Sequence, residues 1–105
     1  MSFLAMFKHP DINQGLQEFA SVPGAILLDV RTPDEHRQAH IPGSRNLPLG
    51  SLNRIGSVAQ QKDIPLFVYC QSGVRSRRAA ADLAQMGYSN VKNIGGFFAY
   101  NGKVE

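Results

Sequence analysis

The sequence predicts an α/β fold, a central and mostly parallel sheet of about five strands with helices on both faces. Three observations predict it. The runs at residues 25–28 and 66–69 are apolar at every position, the pattern of strands covered on both faces. Around them lie stretches whose apolar residues recur at helical spacing. Short strands that alternate with helices call for parallel neighbours, because each crossover returns the chain to the same end of the sheet. All 105 residues are expected to form one domain, residues 1–105, long enough for a core of its own.

Taken in order, Asp11-Ile12-Asn13 precedes Leu16, Phe19 and Ala20, which predicts a short amphipathic helix capped by Asp or Asn. Pro23-Gly24 ends it. The run 25–28 is the next strand and leads into Asp29-Val30-Arg31. Thr32-Pro33-Asp34-Glu35 has the form of a cap and first turn of a brief helix. His40-Ile41-Pro42-Gly43-Ser44 reads as a turn. Residues 46–49 read as a short edge strand, since Pro48 has no N–H for a ladder. Leu52, Ile55, Val58 and Ala59 suggest a helical segment that Gly56 weakens. Pro65 introduces the strand at 66–69. Ala79, Ala80, Leu83, Ala84 and Met86 mark the buried stripe of a helix over about residues 76–86, stopped by Gly87. Residues 91–94 supply another strand, and Gly95 to Tyr100 a final helical turn or loop. Ligands of such sheets bind beyond the carboxyl ends of the strands. Asp29-Val30-Arg31 and the segment from Cys70 to Arg75 both fall there.

Composition narrows the function. Hydrophobic content of 43% and charged content of 18% fit a folded globular chain. The net charge of +3 is not gathered into a broad basic face, so nucleic acid is not the expected partner. One cysteine excludes an intramolecular disulfide and a cysteine-based zinc site. His36 and His40 have i, i+4 spacing, but Ile41-Pro42-Gly43 follows at once, so no metal is expected. No run approaches the ~20 apolar residues of a membrane span. Residues 1–7 lack the basic leader and small-residue cleavage site of a signal peptide. A reducing cytoplasm is the expected compartment and suits a free thiol.

The chemistry centres on Cys70-Gln71-Ser72-Gly73-Val74-Arg75-Ser76. A cysteine after an apolar strand is often only a small buried apolar residue. Here it enters a glycine-containing turn at a helix start, where backbone N–H groups and the positive helix end converge. An ordinary thiol, with a pKa of about 8.5, is only about 3% thiolate at pH 7. Lowering that pKa by about two units takes roughly 2.7 kcal/mol. A helix terminus typically supplies about 0.3–1 kcal/mol, so inward-pointing loop amides and Arg75 are the remaining candidates. Gly73 lets such a loop curl. Arg75, Arg77 and Arg78 sit near the start of a helix, where cations oppose the macrodipole; an anion-binding site breaks that local rule in this way. For Arg75 an ion pair with Asp29, Asp34 or Glu35 and direct substrate contact both stay open. Asp29 is not expected to act as a general base.

These residues resemble the rhodanese-like sulfurtransferases, specifically their small single-domain members. Cys70 to Ser76 matches the family's C-x-x-G-x-R-[ST] loop, Asp29-Val30-Arg31 and His40-Ile41-Pro42-Gly43-Ser44 are similar to its upstream motifs, and Gly95-Gly96-Phe97 to its C-terminal Gly-Gly turn. Ala39 stands where glycine is common and Tyr100 where tryptophan is common, both packing positions. The resemblance implies a rhodanese-like domain and a Cys70 persulfide, loaded from thiosulfate or a persulfide donor and discharged to cyanide, a thiol or a protein sulfur acceptor. It requires no cofactor. Gln71, Ser72, Gly73, Val74, Arg75 and Ser76 would form the anion-binding loop, Asp29 and Arg31 the site wall, and Arg77 and Arg78 an attraction for the anionic donor.

Two other functions compete. A sulfur-carrier or binding module would need the same persulfide without turnover. A cysteine phosphatase or arsenate reductase would also use a Cys…Arg loop, but with five intervening residues. Cys70 and Arg75 enclose four, a tighter loop that favours a single sulfur over a tetrahedral oxyanion.

Overall fold

A computed structural model describes residues 10–105; the reading of residues 1–7 falls outside them. Helix α1 (Ile12–Ala20) starts where Asp11 accepts a hydrogen bond from the Asn13 amide, the cap expected for an Asp at this position. Strand β1 (Ile26–Asp29) follows. Helix α2 (Pro33–Gln38) is closed by a full capping box, Thr32 accepting from the Glu35 amide and Glu35 accepting from the Thr32 amide. Strand β2 (Arg45–Asn46) is two residues long. A 3₁₀ segment over Leu49–Ser57 then leads to β3 (Leu66–Cys70), α3 (Val74–Gln85) and β4 (Val91–Gly96), and a 3₁₀ turn at Phe97–Ala99 follows.

The sheet is parallel throughout, in the order β2-β1-β3-β4. It has four strands among the described residues where about five were predicted. The edge strand is shorter than expected and lies one residue earlier, because ladder pairing stops before Pro48, although Leu47 and Leu49 still donate to the carbonyls of Asp29 and Val30. Gly56 and a non-helical Ser51 keep the segment after it in 3₁₀ geometry. Helix α3 starts two residues earlier than the apolar stripe implied, since Gly73, at φ +95°, forms its cap.

The two faces of the sheet carry separate apolar layers, as the all-apolar strands required. Leu28, Val30, Leu66, Val68 and Cys70 pack under α3 and the Leu49–Ser57 segment, against Leu52, Ile55, Ala79 and Leu83. Leu27, Phe67, Tyr69 and Ile94 face α1 and the C-terminal turn, through Ile12, Leu16, Phe19 and Phe97. Strand β4 carries an irregularity: Val68 pairs with Asn93, but Tyr69 and Cys70 pair with Gly95 and Gly96. That one-residue slip is a β-bulge, which re-aims side chains on the bulged strand. It leaves Asn93 on the Val68 and Cys70 face and brings the two glycines beside the end of β3.

Candidate active site

Two clusters sit at the carboxyl ends of β1 and β3. At the end of β1, Asp29 is fully buried and its oxygens are saturated. Arg31 donates from Nε and Nη2 at 3.0 and 2.8 Å and from its backbone amide at 2.9 Å. The His36 ring presents Nδ1 at 2.8 Å, and the Tyr69 hydroxyl donates at 3.2 Å. An ionised carboxylate only accepts, so His36 must carry its proton on Nδ1. Burial pushes the Asp29 pKa up, but the hydrogen bonds from Arg31 and His36 and the Arg31 charge hold it below the ordinary carboxylate value. Burial likewise pushes the Tyr69 hydroxyl up to about 12, so it stays a donor. Arg31 is also committed: Nη2 reaches the Ala39 carbonyl at 2.7 Å, Nη1 approaches Gln71 Oε1 at 3.5 Å, and its guanidinium lies 4.5 Å from the Phe97 ring centre. His36 and His40 are both half-buried, and their rings stack 3.7 Å apart.

At the end of β3 the geometry is different. The Cys70 residue is fully buried, yet Gly73 directs its amide at Sγ from 3.0 Å, and Ser76 Oγ lies 3.4 Å away. Burial raises the thiol pKa, and the hydrogen bonds of the Ser76 hydroxyl and of the Ser76, Gly73 and Ser72 amides overcome it, so that the net direction is downward. The sulfur occupies the place of a capping side chain, taking amides that α3 leaves unpaired in its first turn. Gly73 is positioned by its left-handed φ. Gly96 is required by proximity: a Cβ there would stand 2.7 Å from the Gln71 carbonyl oxygen. The Gly-Gly turn is therefore the wall against which the sulfur loop closes.

Among the described residues, no cationic side chain hydrogen-bonds the sulfur. Arg75 leaves the loop to form a two-pronged pair with Glu35 of α2, at 2.7 and 2.9 Å. Hydrogen bonding to Arg75, opposed by partial burial and helped by Thr32, holds the Glu35 carboxyl down at about 2. Of the partners open for Arg75 in the sequence, the fold selects Glu35, because α2 and the start of α3 lie side by side at the same end of the sheet. Arg77 and Arg78 are exposed. They line an open groove of about 420 Å³ beside the loop, together with Leu49, Val74, Arg75 and Ala81. Gln71 and Ser72 are exposed and Ser76 is buried.

Sequence reasoning missed three participants: His36 and Tyr69 on Asp29, and Asn93, whose Oδ1 accepts the Ser76 hydroxyl at 2.7 Å. Nothing local marks His36 or Asn93. Tyr69 could have been singled out as a phenol in an otherwise aliphatic and aromatic run, since a buried hydroxyl needs a partner.

Four similarities to known proteins bear on the chain. Residues 12–103 match the rhodanese-like domain family. An uncharacterized protein of Bacillus subtilis, YqhL, is 42% identical over 82 residues, 77% of this chain and 64% of that protein, so the chain spans somewhat less than two thirds of it. The thiosulfate sulfurtransferase PspE of Escherichia coli is 39% identical over 70 residues, 66% of this chain and 67% of that protein. Among solved structures, a rhodanese with anions from E. coli superposes with a TM-score of 0.72 at 33% identity, covering 77% of this chain and 96% of that one.

Proposed function

This chain belongs to the rhodanese-like domain family, and from that membership we propose that it is a sulfurtransferase working through a Cys70 persulfide. The observation that carries the reading is the Gly73 amide 3.0 Å from Sγ inside a loop with four residues between cysteine and arginine. Amides that converge on sulfur stabilise the thiolate, the nucleophilic form, with no side-chain base needed.

The Cys70 thiolate attacks the outer sulfur of thiosulfate. The new S–S bond forms as the old one breaks, and sulfite leaves with the electron pair. The negative charge moves to the outer sulfur of the persulfide, where the loop amides of residues 71–76 remain within the same bowl. Cyanide or a thiolate then takes that sulfur, and Cys70 departs as thiolate. A persulfide donor enters by the same exchange, and a protein thiol is an acceptor of the same class. No proton moves in the thiosulfate–cyanide cycle, consistent with an Asp29 whose oxygens are already occupied. Asp29 and Arg31 serve as wall, Arg75 braces the loop against α2, and Arg77 and Arg78 attract the anionic donor. Residues 1–105 act as one domain in a reducing cytoplasm, which keeps the lone thiol free.

Incubation with thiosulfate, read by intact mass, tests this. The wild type is expected to gain one sulfur atom and lose it to cyanide as thiocyanate, while Cys70→Ser gains none. A wild type that gains nothing, or a Cys70→Ser variant that gains it equally, would sink the mechanism. Hydrolysis of an aryl phosphate would move the chain to the phosphatase class.

A further inference from the structure

The Ser76 hydroxyl has one proton and three acceptors within reach. Asn93 Oδ1 is 2.7 Å away, the Gly73 carbonyl 3.2 Å, and Cys70 Sγ 3.4 Å. A hydroxyl donates once, so these contacts exclude one another as donations. The orientation of the Asn93 amide is fixed independently: the Gly95 backbone N–H, which can only donate, points at Oδ1 from 3.0 Å. The acceptor therefore faces Ser76. The β4 bulge places it there, on the same face as Cys70. By distance, Asn93 is the stronger claimant while the sulfur is uncharged, and a charged acceptor reverses that order, because charge-assisted hydrogen bonds are roughly twice as strong.

We propose that Asn93 is a positioning residue that competes with Cys70 for the Ser76 hydroxyl proton, so that the hydroxyl turns to Sγ when the charge is on Sγ and returns to Asn93 when it is not. The inference rests on the persulfide reading for its place in the cycle. In the free enzyme the charge is on Sγ; in the persulfide it is on the outer sulfur, and Sγ is neutral. One side-chain rotation then follows the charge through each turnover. Asn93 keeps the hydroxyl from remaining on Sγ, and so limits how far the thiolate is stabilised and made less reactive.

The test is the pH dependence of iodoacetamide alkylation of the full chain, which needs no sulfur donor and therefore stands or fails apart from the sulfurtransferase reading. Of the charged groups near the sulfur, Arg75 on α3 stays paired with Glu35 from α2, and Asp29 at the end of β1 stays paired with Arg31; none is altered. Ser76→Ala is expected to raise the thiol pKa by about one pH unit, the size of a lost hydrogen bond to a charged group. Asn93→Ala is expected to lower it by roughly half a unit, and Asn93→Leu, closer in size, to do the same. The decisive arm is Asn93→Ala in the Ser76→Ala background, where no further shift is expected. A pKa unchanged or raised in both Asn93 variants would overturn the proposal, as would an equal drop without the hydroxyl.

Discussion

Two neighbouring strands end in polar clusters that solve opposite problems. At the end of β1 a full negative charge is buried and answered by a guanidinium, an imidazole N–H and a hydroxyl, from Arg31, His36 and Tyr69 around Asp29. At the end of β3, among the described residues, the sulfur is held by amides and one shared hydroxyl. The first arrangement is turned inward: among the described residues, both Asp29 oxygens have their donors, and Arg31 spends Nε and Nη2 on Asp29 and the Ala39 carbonyl. On the proposed persulfide reading, the second stabilises charge with dipoles that do not neutralise it, which leaves the charge available for reaction. A salt bridge makes a scaffold, and an amide nest makes a site.

The sharpest way to break the contrast is at Asp29. Asp29→Ala leaves Arg31 buried without its carboxylate, and removing one partner of a buried pair costs about 3–5 kcal/mol. Thermal or urea unfolding should register that loss, and in whatever fraction stays folded the Cys70 thiol pKa should move little. A folded Asp29→Ala with unchanged stability would remove the scaffold role.

Arg75 lies between the two clusters. Arg75→Ala is expected to slow persulfide formation severalfold, by freeing the loop from α2, whereas Arg77→Ala has a smaller effect that fades as salt is added. Stopped thiosulfate reactions read by intact mass decide it; the reverse order would return Arg75 to a surface role.

The smallest effect concerns pH. The Glu35 carboxyl is held down at about 2 from an ordinary 4.5. A lowered carboxylate pKa contributes stability that is complete above about 4.5 and is lost as pH falls toward 2. Asp29 acts in the same direction, so the informative quantity is the difference between wild type and Glu35→Gln. The variant should be less stable at pH 6 and should lose less on acidification. Parallel curves would show that the pair contributes nothing.

Much of this was legible in the chain. The runs at 25–28 and 66–69, the Thr32…Glu35 cap and the stop at Gly87 are local signals, decided by residue shape and by spacing within a few positions, and the family resemblance rested on the same short motifs. The loop from Cys70 to Ser76 was readable for that reason: strand, turn glycine and helix start are contiguous. Edges were less readable, as the shortened β2 and the 3₁₀ Leu49–Ser57 segment show, because hydrogen-bond competition at a sheet edge depends on which neighbour is present.

By itself, then, the sequence determined where the strands and helices run and that one thiol stands at a strand's carboxyl end. Only the tertiary structure decided that Arg75 belongs to Glu35, that His36 and Tyr69 complete the Asp29 cluster, and that Asn93 reaches the Ser76 hydroxyl. Those partners lie 40, 7, 40 and 17 residues apart. Periodicity and capping act within a turn or two of chain, whereas a polar group chooses its partner from whatever the parallel sheet and its bulge carry to the same end.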